Sequence, residues 1–392
     1  MAQATERAPR LPSWVAAVAP LFFIAALVAA FLALDPIGEL REVPPAEAIA
    51  IERTVVHEGS IELHLRNDGP DPVTIAQVLV DDAYRPFEIS DPTLGRLESA
   101  TLDIPYPWEP GLPLNIALLT STGLTIEHEI EAVALTPEVD SRTLLTYALL
   151  GLYIGVIPVA VGLLWFPSLR RASPAWVAFF LAFTVGLLAF LLIDTVAEGL
   201  ELAAETGAAL DGLGLFGIGA LGSFAALIAL GHGLSRAKGA KRLAGLRLAY
   251  LIAAGIGLHN LGEGLAVGAA LAAGEVALGT FLILGFMLHN TTEGLAIVSP
   301  LGAERTRPRF AHFVGLGALA GVPTIFGAWM GGYAFSPSWA ALAFGIAAGA
   351  IAQVVWAVAS TLPAEHRLGA PVGAAGFIAG LVVMYATGLL TA

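Results

Sequence analysis

Residues 255–299 read GIGLHNLGEGLAVGAALAAGEVALGTFLILGFMLHNTTEGLAIVS, two apolar stretches joined by a few small residues, and each stretch carries one polar phrase. HNLGEGLA runs from His259 to Ala266 and HNTTEGLA from His289 to Ala296, thirty positions on and identical at six of eight positions. On a helix, His at i and Glu at i+4 share a face about one turn apart. Each phrase therefore offers an imidazole and a carboxylate to one point, with an asparagine one step round. Only Ala272 to Gly274 connect the stretches, so the two helices are antiparallel neighbours whose polar faces meet across small residues such as Gly255, Gly262, Gly285 and Gly294. Ionisable groups inside hydrocarbon are expensive unless paired or bound to a metal, and four of them in two helices mark a functional site.

Two neutral imidazoles and two carboxylates balance one divalent ion, and nitrogen and oxygen donors suit Zn²⁺, Fe²⁺ or Mn²⁺. The expected ligands are His259, Glu263, His289 and Glu293. Asn260 and Asn290 either lend oxygens to a second ion sharing the glutamates or hydrogen-bond across the helices. A buried His–Glu network that only joins two helices is the bland alternative, and duplication of the whole phrase argues against it.

Composition fixes the broad class. The 392-residue chain is 57% hydrophobic and 13% charged, with a mean hydropathy of +0.78, more apolar surface than a soluble protein of this length can bury. There is no cysteine, which excludes disulfides and thiolate metal sites. Runs long enough to cross a bilayer fall at 15–34, 144–165, 174–200, 209–233, 244–271, 275–299, 311–333, 339–361 and 370–391. The first is read as a retained anchor in preference to a cleaved signal sequence, because its apolar core is longer than a signal's.

Basic residues set the topology. Arg7 and Arg10, and the connections 166–173, 234–247, 300–310 and 362–369, hold 13 of the 19 Lys and Arg, whereas 201–208, 272–274 and 334–338 hold none. The positive-inside rule then puts the N-terminus in the cytoplasm, and residues 37–140 and the C-terminus outside it. Residues 35–143 carry 21 Asp and Glu against 6 Arg. Alternating runs at 61–65, 73–80, 114–120 and 124–135, separated by NDGPDP, SDPTLG and YPWEPGLP, predict a small acidic β-sandwich there. His57, His64 and His128 lie in it; His57 and His64 fall on opposite faces if their strand is continuous, and the acidic surface is read chiefly as a solubility feature.

The span 174–200 ends in Asp194, Glu198, Glu201 and Glu205 at i, i+4, i+7 and i+11, one acidic stripe. Asp194 and Glu198 are expected on an approach path that concentrates cations at a pore mouth; Glu201 and Glu205 are read as a solvated helix end. Gln353 is the amide within 339–361 and faces either the path or a neighbour. His232 and His312 are expected at interfaces, and Pro323 is expected to kink its helix and free a carbonyl.

The paired HNxxEGLA phrases, the acidic pair Asp194 and Glu198, and eight spans from residue 144 on resemble the ZIP (Zrt/Irt-like) metal transporter family, most closely its GufA-type prokaryotic branch. The resemblance covers about 250 residues. It implies an eight-helix core in which His259, Glu263, His289 and Glu293 form a transport site, with Asn260, Asn290 and Glu293 at a second. Gly262 and Thr292 stand where the branch has a proline, the acid expected in the next core span has no counterpart near Thr324, and WAVASTLPAE (356–365) replaces a carboxylate-rich end. These departures point to a softer helix break and to a mononuclear site or altered selectivity.

The expectation is a mainly α membrane protein: an N-terminal tail and anchor over 1–36, an extracytoplasmic β-sandwich over 37–140 and a ZIP-like transport domain over 141–392. Its expected function is to carry a divalent metal ion, Zn²⁺ ahead of Fe²⁺ or Mn²⁺, toward the cytoplasm across the cell membrane; it is not an enzyme. The competing readings are an intramembrane metal-dependent hydrolase and a membrane metal sensor. The expected partners are the metal ion as cargo and the lipid bilayer. Nucleic acid is excluded, a homodimer is left open and the partner of the β-sandwich is unassigned.

Overall fold

The computed structural model describes residues 13–34, 46–130, 132–235, 244–303 and 308–389. Of the basic residues that set the expected topology, Arg7, Arg10, Arg236, Lys238, Lys241, Arg242, Arg305 and Arg307 lie outside these. Helix α1, Ser13–Leu34, falls in the first of two compact units and has 22 residues. At ~1.5 Å per residue it is about as long as a hydrocarbon layer is thick.

The second unit, Glu47–Ala392, opens with nine strands. They are β1 (Ile49–His57), β2 (Ser60–Asn67), β3 (Val73–Val80), β4 (Ala83–Arg85), β5 (Glu88–Ile89), β6 (Thr93–Leu94), β7 (Ser99–Pro105), β8 (Leu114–Thr120) and β9 (Thr125–Ile130). One antiparallel sheet has the order β1-β2-β7-β5; the other has the order β4-β3-β8-β9, with β6 also paired to β3. Alternation decides the faces. Ile61, Leu63 and Leu65 of β2 and Leu102 and Ile104 of β7 join Val73, Val78, Ile116 and Leu118 from the other sheet in one buried cluster, while Glu62 and His64 point away from it.

Helices follow from α2 (Ser141–Gly151), which Asp140 and Thr143 start as a reciprocal capping box: Asp140 Oδ1 accepts from the Thr143 amide at 2.6 Å. That bond holds the exposed Asp140 carboxyl below the usual carboxylate range. A π-helical turn, Leu152–Val156, leads into α3 (Ile157–Leu163) and α4 (Phe166–Leu169), completing the first span. Then come α5 (Pro174–Glu205), α6 (Gly212–Ser235), α7 (Ala244–Ala272), α8 (Val276–Val298), α9 (Phe310–Ala334), α10 (Pro337–Ala359) and α11 (Pro371–Gly388). Prolines at the first positions of α5, α10 and α11 supply the fixed φ a helix start needs and lack only an amide that would have no intrahelical partner. Among the described residues, eight helical segments from Ser141 on are long and apolar enough to cross a membrane, and the chain is a mainly helical, multi-pass membrane protein. Helix α7 has no break at Gly262, nor α8 at Thr292, and α9 remains one helix through Pro323.

Glycines set how closely these helices approach. A Cβ built on Gly264 of α7 would lie 2.8 Å from the Ala328 backbone nitrogen of α9, and one on Gly327 of α9 would lie 2.9 Å from the Leu265 nitrogen of α7. Gly294 of α8 and Gly162 of α3 seat against one another in the same reciprocal way, as do glycines of α5 against α11 and of α6 against α10. Backbones in direct contact make α2, α3, α7, α8 and α9 one closely seated group and α5, α6, α10 and α11 another. Between the groups side chains intervene: a Cβ built on Gly262 would meet the Phe344 ring of α10 at 3.1 Å, and one on Gly255 would meet the Val354 side chain at 2.8 Å.

The β unit sits on the helix ends that bear connections 206–211 and 273–275. Asp68 accepts from the Ala209 amide at 3.2 Å through both oxygens, Arg53 Nη1 donates to the Tyr333 carbonyl, and Ala134 abuts Gly274, whose φ of +81° closes the turn into α8. Asp68 also lies 3.7 Å from the buried guanidinium of Arg66, which pairs with Glu52 at 3.0 Å. Asp68→Ala therefore removes a charge-assisted bond, about 1.5–3 kcal/mol, and is expected to loosen this docking. Hydrogen exchange in peptides covering 204–215 should quicken while the strand core keeps its protection.

Candidate metal centre

Antiparallel packing of α7 on α8 brings the two phrases together. His259, Asn260, Glu263, His289, Asn290 and Glu293 are all buried, Glu293 with 0% exposure. Ring nitrogens of His259 and His289 and a carboxylate oxygen of Glu293 lie within 4.8 Å of one another. Glu263 Oε1 is 3.1 Å from His259 Nε2 and also contacts His289 Nε2. Three donor groups thus converge, and Glu263 stands against the two histidines without belonging to that group of three.

The two phrases are not used alike, although their sequences are nearly the same. Glu263 gathers both histidines on Oε1 and the Asn290 amide on Oε2 at 2.7 Å. Glu293 gathers nothing: neither oxygen has a hydrogen-bond partner among the described residues. The difference arises in the neighbouring helices. Asn260 donates to the Ala320 carbonyl of α9 at 3.1 Å and comes within no ordinary hydrogen-bond distance of Glu293, whereas Asn290 reaches Glu263. Asn290 also meets the Ile154 carbonyl at 3.1 Å in the π-helical turn. Pro158, four residues on, has no amide to give that carbonyl, so the turn leaves it for Asn290 to satisfy.

An anionic carboxylate buried without a partner is among the least favourable groups a protein can hold, and the remedy is a proton or a cation. Zn–N and Zn–O bonds of 2.0–2.2 Å put tetrahedral ligand atoms about 3.4 Å apart. The three atoms lie within 4.8 Å of one another, and Glu293 has no hydrogen bond to break in reaching that separation. Oδ1 of Asn260 and Oδ1 of Asn290 are likewise buried and without partners, as are Thr324 Oγ1 and Gln353 Oε1. Gln353 lies on α10 and is buried.

A cavity of about 620 Å³ reaches His259 and Glu263 and is lined by Asp194, Glu198, Glu201 and Glu205 of α5. The expected acidic stripe therefore leads to the centre. All four carboxylates line it, and Glu201 and Glu205 are exposed there, in keeping with a solvated helix end. Thr195, between the first two acids, touches the centre directly: its Oγ1 is 3.0 Å from His259 Nδ1. Sequence reading passes over it, since one threonine in an apolar helix carries no distinguishing pattern.

Two histidines of the β unit share one carboxylate, and the third stands on the other sheet. A turn at Glu58–Gly59 separates His57 from His64, so no continuous strand holds both; Glu62 stands 3.8 Å from His57 and 2.9 Å from His64. His128, on the other sheet, contacts Thr54 Oγ1 at 2.9 Å, and burial lowers its pKa. His312 contacts the Tyr250 hydroxyl at 3.1 Å, an interfacial placement. No family model matches the chain, and no curated protein matches it.

Proposed function

We propose that this protein is a ZIP-type carrier that moves a divalent metal ion, Zn²⁺ foremost, across a membrane through the centre formed by His259, Glu263, His289 and Glu293. The observation that carries the reading is the buried Glu293 carboxylate, with no hydrogen-bond partner, facing two imidazoles and a second carboxylate. A cation there supplies the charge that the protein does not. The acid-lined cavity gives the ion an approach, and glycine-seated helix groups with side-chain faces between them suit a site that is opened first to one side and then to the other.

The helix ends support an inward direction. The β unit and connections 206–211 and 273–275, which hold no Lys or Arg, lie at one end, and the acidic cavity opens beside Glu205 and Glu275 at that same end. By the positive-inside rule this end is extracytoplasmic, and α1 is a further membrane anchor with its N-terminus in the cytoplasm. Net movement is then toward the cytoplasm across the cell membrane.

The test is uptake of radioactive Zn²⁺ into vesicles reconstituted with the full chain. Saturable uptake, competed by Cd²⁺, Fe²⁺ or Mn²⁺ and absent from empty vesicles, is the expected result. Uptake equal to that of empty vesicles for every one of these ions would overturn the proposal.

A further inference from the structure

Thr195 Oγ1 makes two contacts, one with the Leu191 carbonyl at 2.7 Å and one with His259 Nδ1 at 3.0 Å. A carbonyl oxygen only accepts, so the first contact takes the single hydroxyl proton of the threonine. The oxygen then has only lone pairs to offer His259, and Nδ1 must carry hydrogen and donate. We infer that Thr195 is a positioning residue that fixes His259 in its Nδ1–H form, leaving the Nε2 lone pair directed at the metal centre. Nε2 indeed points there, 3.1 Å from Glu263 Oε1. A lone pair and a carboxylate oxygen at that separation attract one another only with positive charge between them, as a metal ion provides.

Two features make the assignment more than a local bond. Thr195 is buried, so water does not compete for Nδ1. It also stands on α5, whereas His259 stands on α7, and these helices belong to different closely seated groups. The hydroxyl orients the ligand only while the groups keep the arrangement seen here, so the affinity of the centre is tied to that arrangement. The inference rests on the metal-carrier reading for its purpose, though not for its geometry.

The test uses the full chain with Thr195→Val, which keeps the branched shape and removes the hydroxyl, and Thr195→Ser, which restores it. Zn²⁺ affinity is measured by competition with a chelator, and the imidazole tautomer by ¹⁵N spectra of histidine-labelled protein, with His259 assigned by subtraction of a His259→Gln spectrum. Thr195→Val is expected to bind Zn²⁺ about 10- to 100-fold more weakly, the usual loss when a histidine ligand loses the partner of its other nitrogen. Its His259 signal should lose the Nδ1–H signature, and Thr195→Ser should recover both. An unchanged affinity together with an unchanged His259 signal in Thr195→Val would overturn the inference, as would a Thr195→Ser variant indistinguishable from Thr195→Val. If the unmodified protein binds no Zn²⁺, it is the carrier reading that fails. The tautomer is still decided from metal-free spectra: an Nδ1–H signature lost in Thr195→Val supports the lock, and one that persists refutes it.

Discussion

Glu293→Gln is expected to bring Zn²⁺ uptake to background while leaving the metal-free protein as stable as before, or more so. The two halves of this result have one cause. A carboxylate at 0% exposure without a partner contributes nothing favourable to the metal-free fold, and its desolvation opposes folding. Its replacement by a neutral amide of the same shape removes that penalty. The same replacement removes one of two negative charges facing the ion, and the loss of affinity should exceed the factor of about 10–100 typical of outer partners. Thermal unfolding gives a second readout. Saturating Zn²⁺ at about 100 times Kd stabilises the native state by about 2.7 kcal/mol, and Glu293→Gln should show no such gain. Glu263→Ala should also abolish uptake, with the opposite effect on the metal-free fold, because His289 and Asn290 lose an acceptor. If Glu293→Gln transports at the normal rate, the ion does not pass between these carboxylates.

Gly264→Leu is expected to destabilise the protein by at least about 1–3 kcal/mol, the range for overpacked cores, and to abolish uptake with it. A Cβ at this position meets main-chain atoms of α9, the nearest of them too close for any real contact, and main chain cannot step aside as a side-chain tip can. Relief requires α7 to draw back from α9, which carries His259 and Glu263 away from α8. The control is Gly217→Ala on α6, where a Cβ meets nothing within 4 Å. There the better helix propensity of alanine, about 1 kcal/mol, should raise stability and leave transport intact. Unfolding in detergent, followed by tryptophan fluorescence, distinguishes the two. Equal effects from both substitutions would mean that the α7–α9 contact is not a constraint.

The apolar spans were legible because lipid makes length and composition nearly sufficient. The expected 244–271 and 275–299 are observed as Ala244–Ala272 and Val276–Val298. The strand runs at 73–80 and 114–120 also match β3 and β8, where alternation reports a buried face. Convergence of His259, His289 and Glu293 follows from the i, i+4 spacing and the short Ala272–Gly274 link. Less could be read where the outcome depends on rotation of a helix about its axis. Helices apolar on every side have no polar face to fix that rotation, so nothing in the sequence separates Thr195, which meets His259, from any other threonine in a span. Nor does it show that Glu201 and Glu205 line the cavity. The unequal use of Glu263 and Glu293 escapes the repeat for a related reason, because it is set by α9 and the π-helical turn, which differ between the two phrases. The hairpin at His57 was missed because Glu58–Gly59 is a short interruption in a long alternating run.

The β unit grips the connection from α5 to α6 through Asp68 and the end of α9 through Arg53, one point in each helix group. A rigid body fastened to both halves at one end works as a hinge plate. It permits the halves to swing while resisting their separation at that end, so the greatest travel falls at the far end of the helices. For the carrier proposed above, a gap beneath the plate would stay narrow and nearly constant, and the wide opening would develop on the side where the plate is absent.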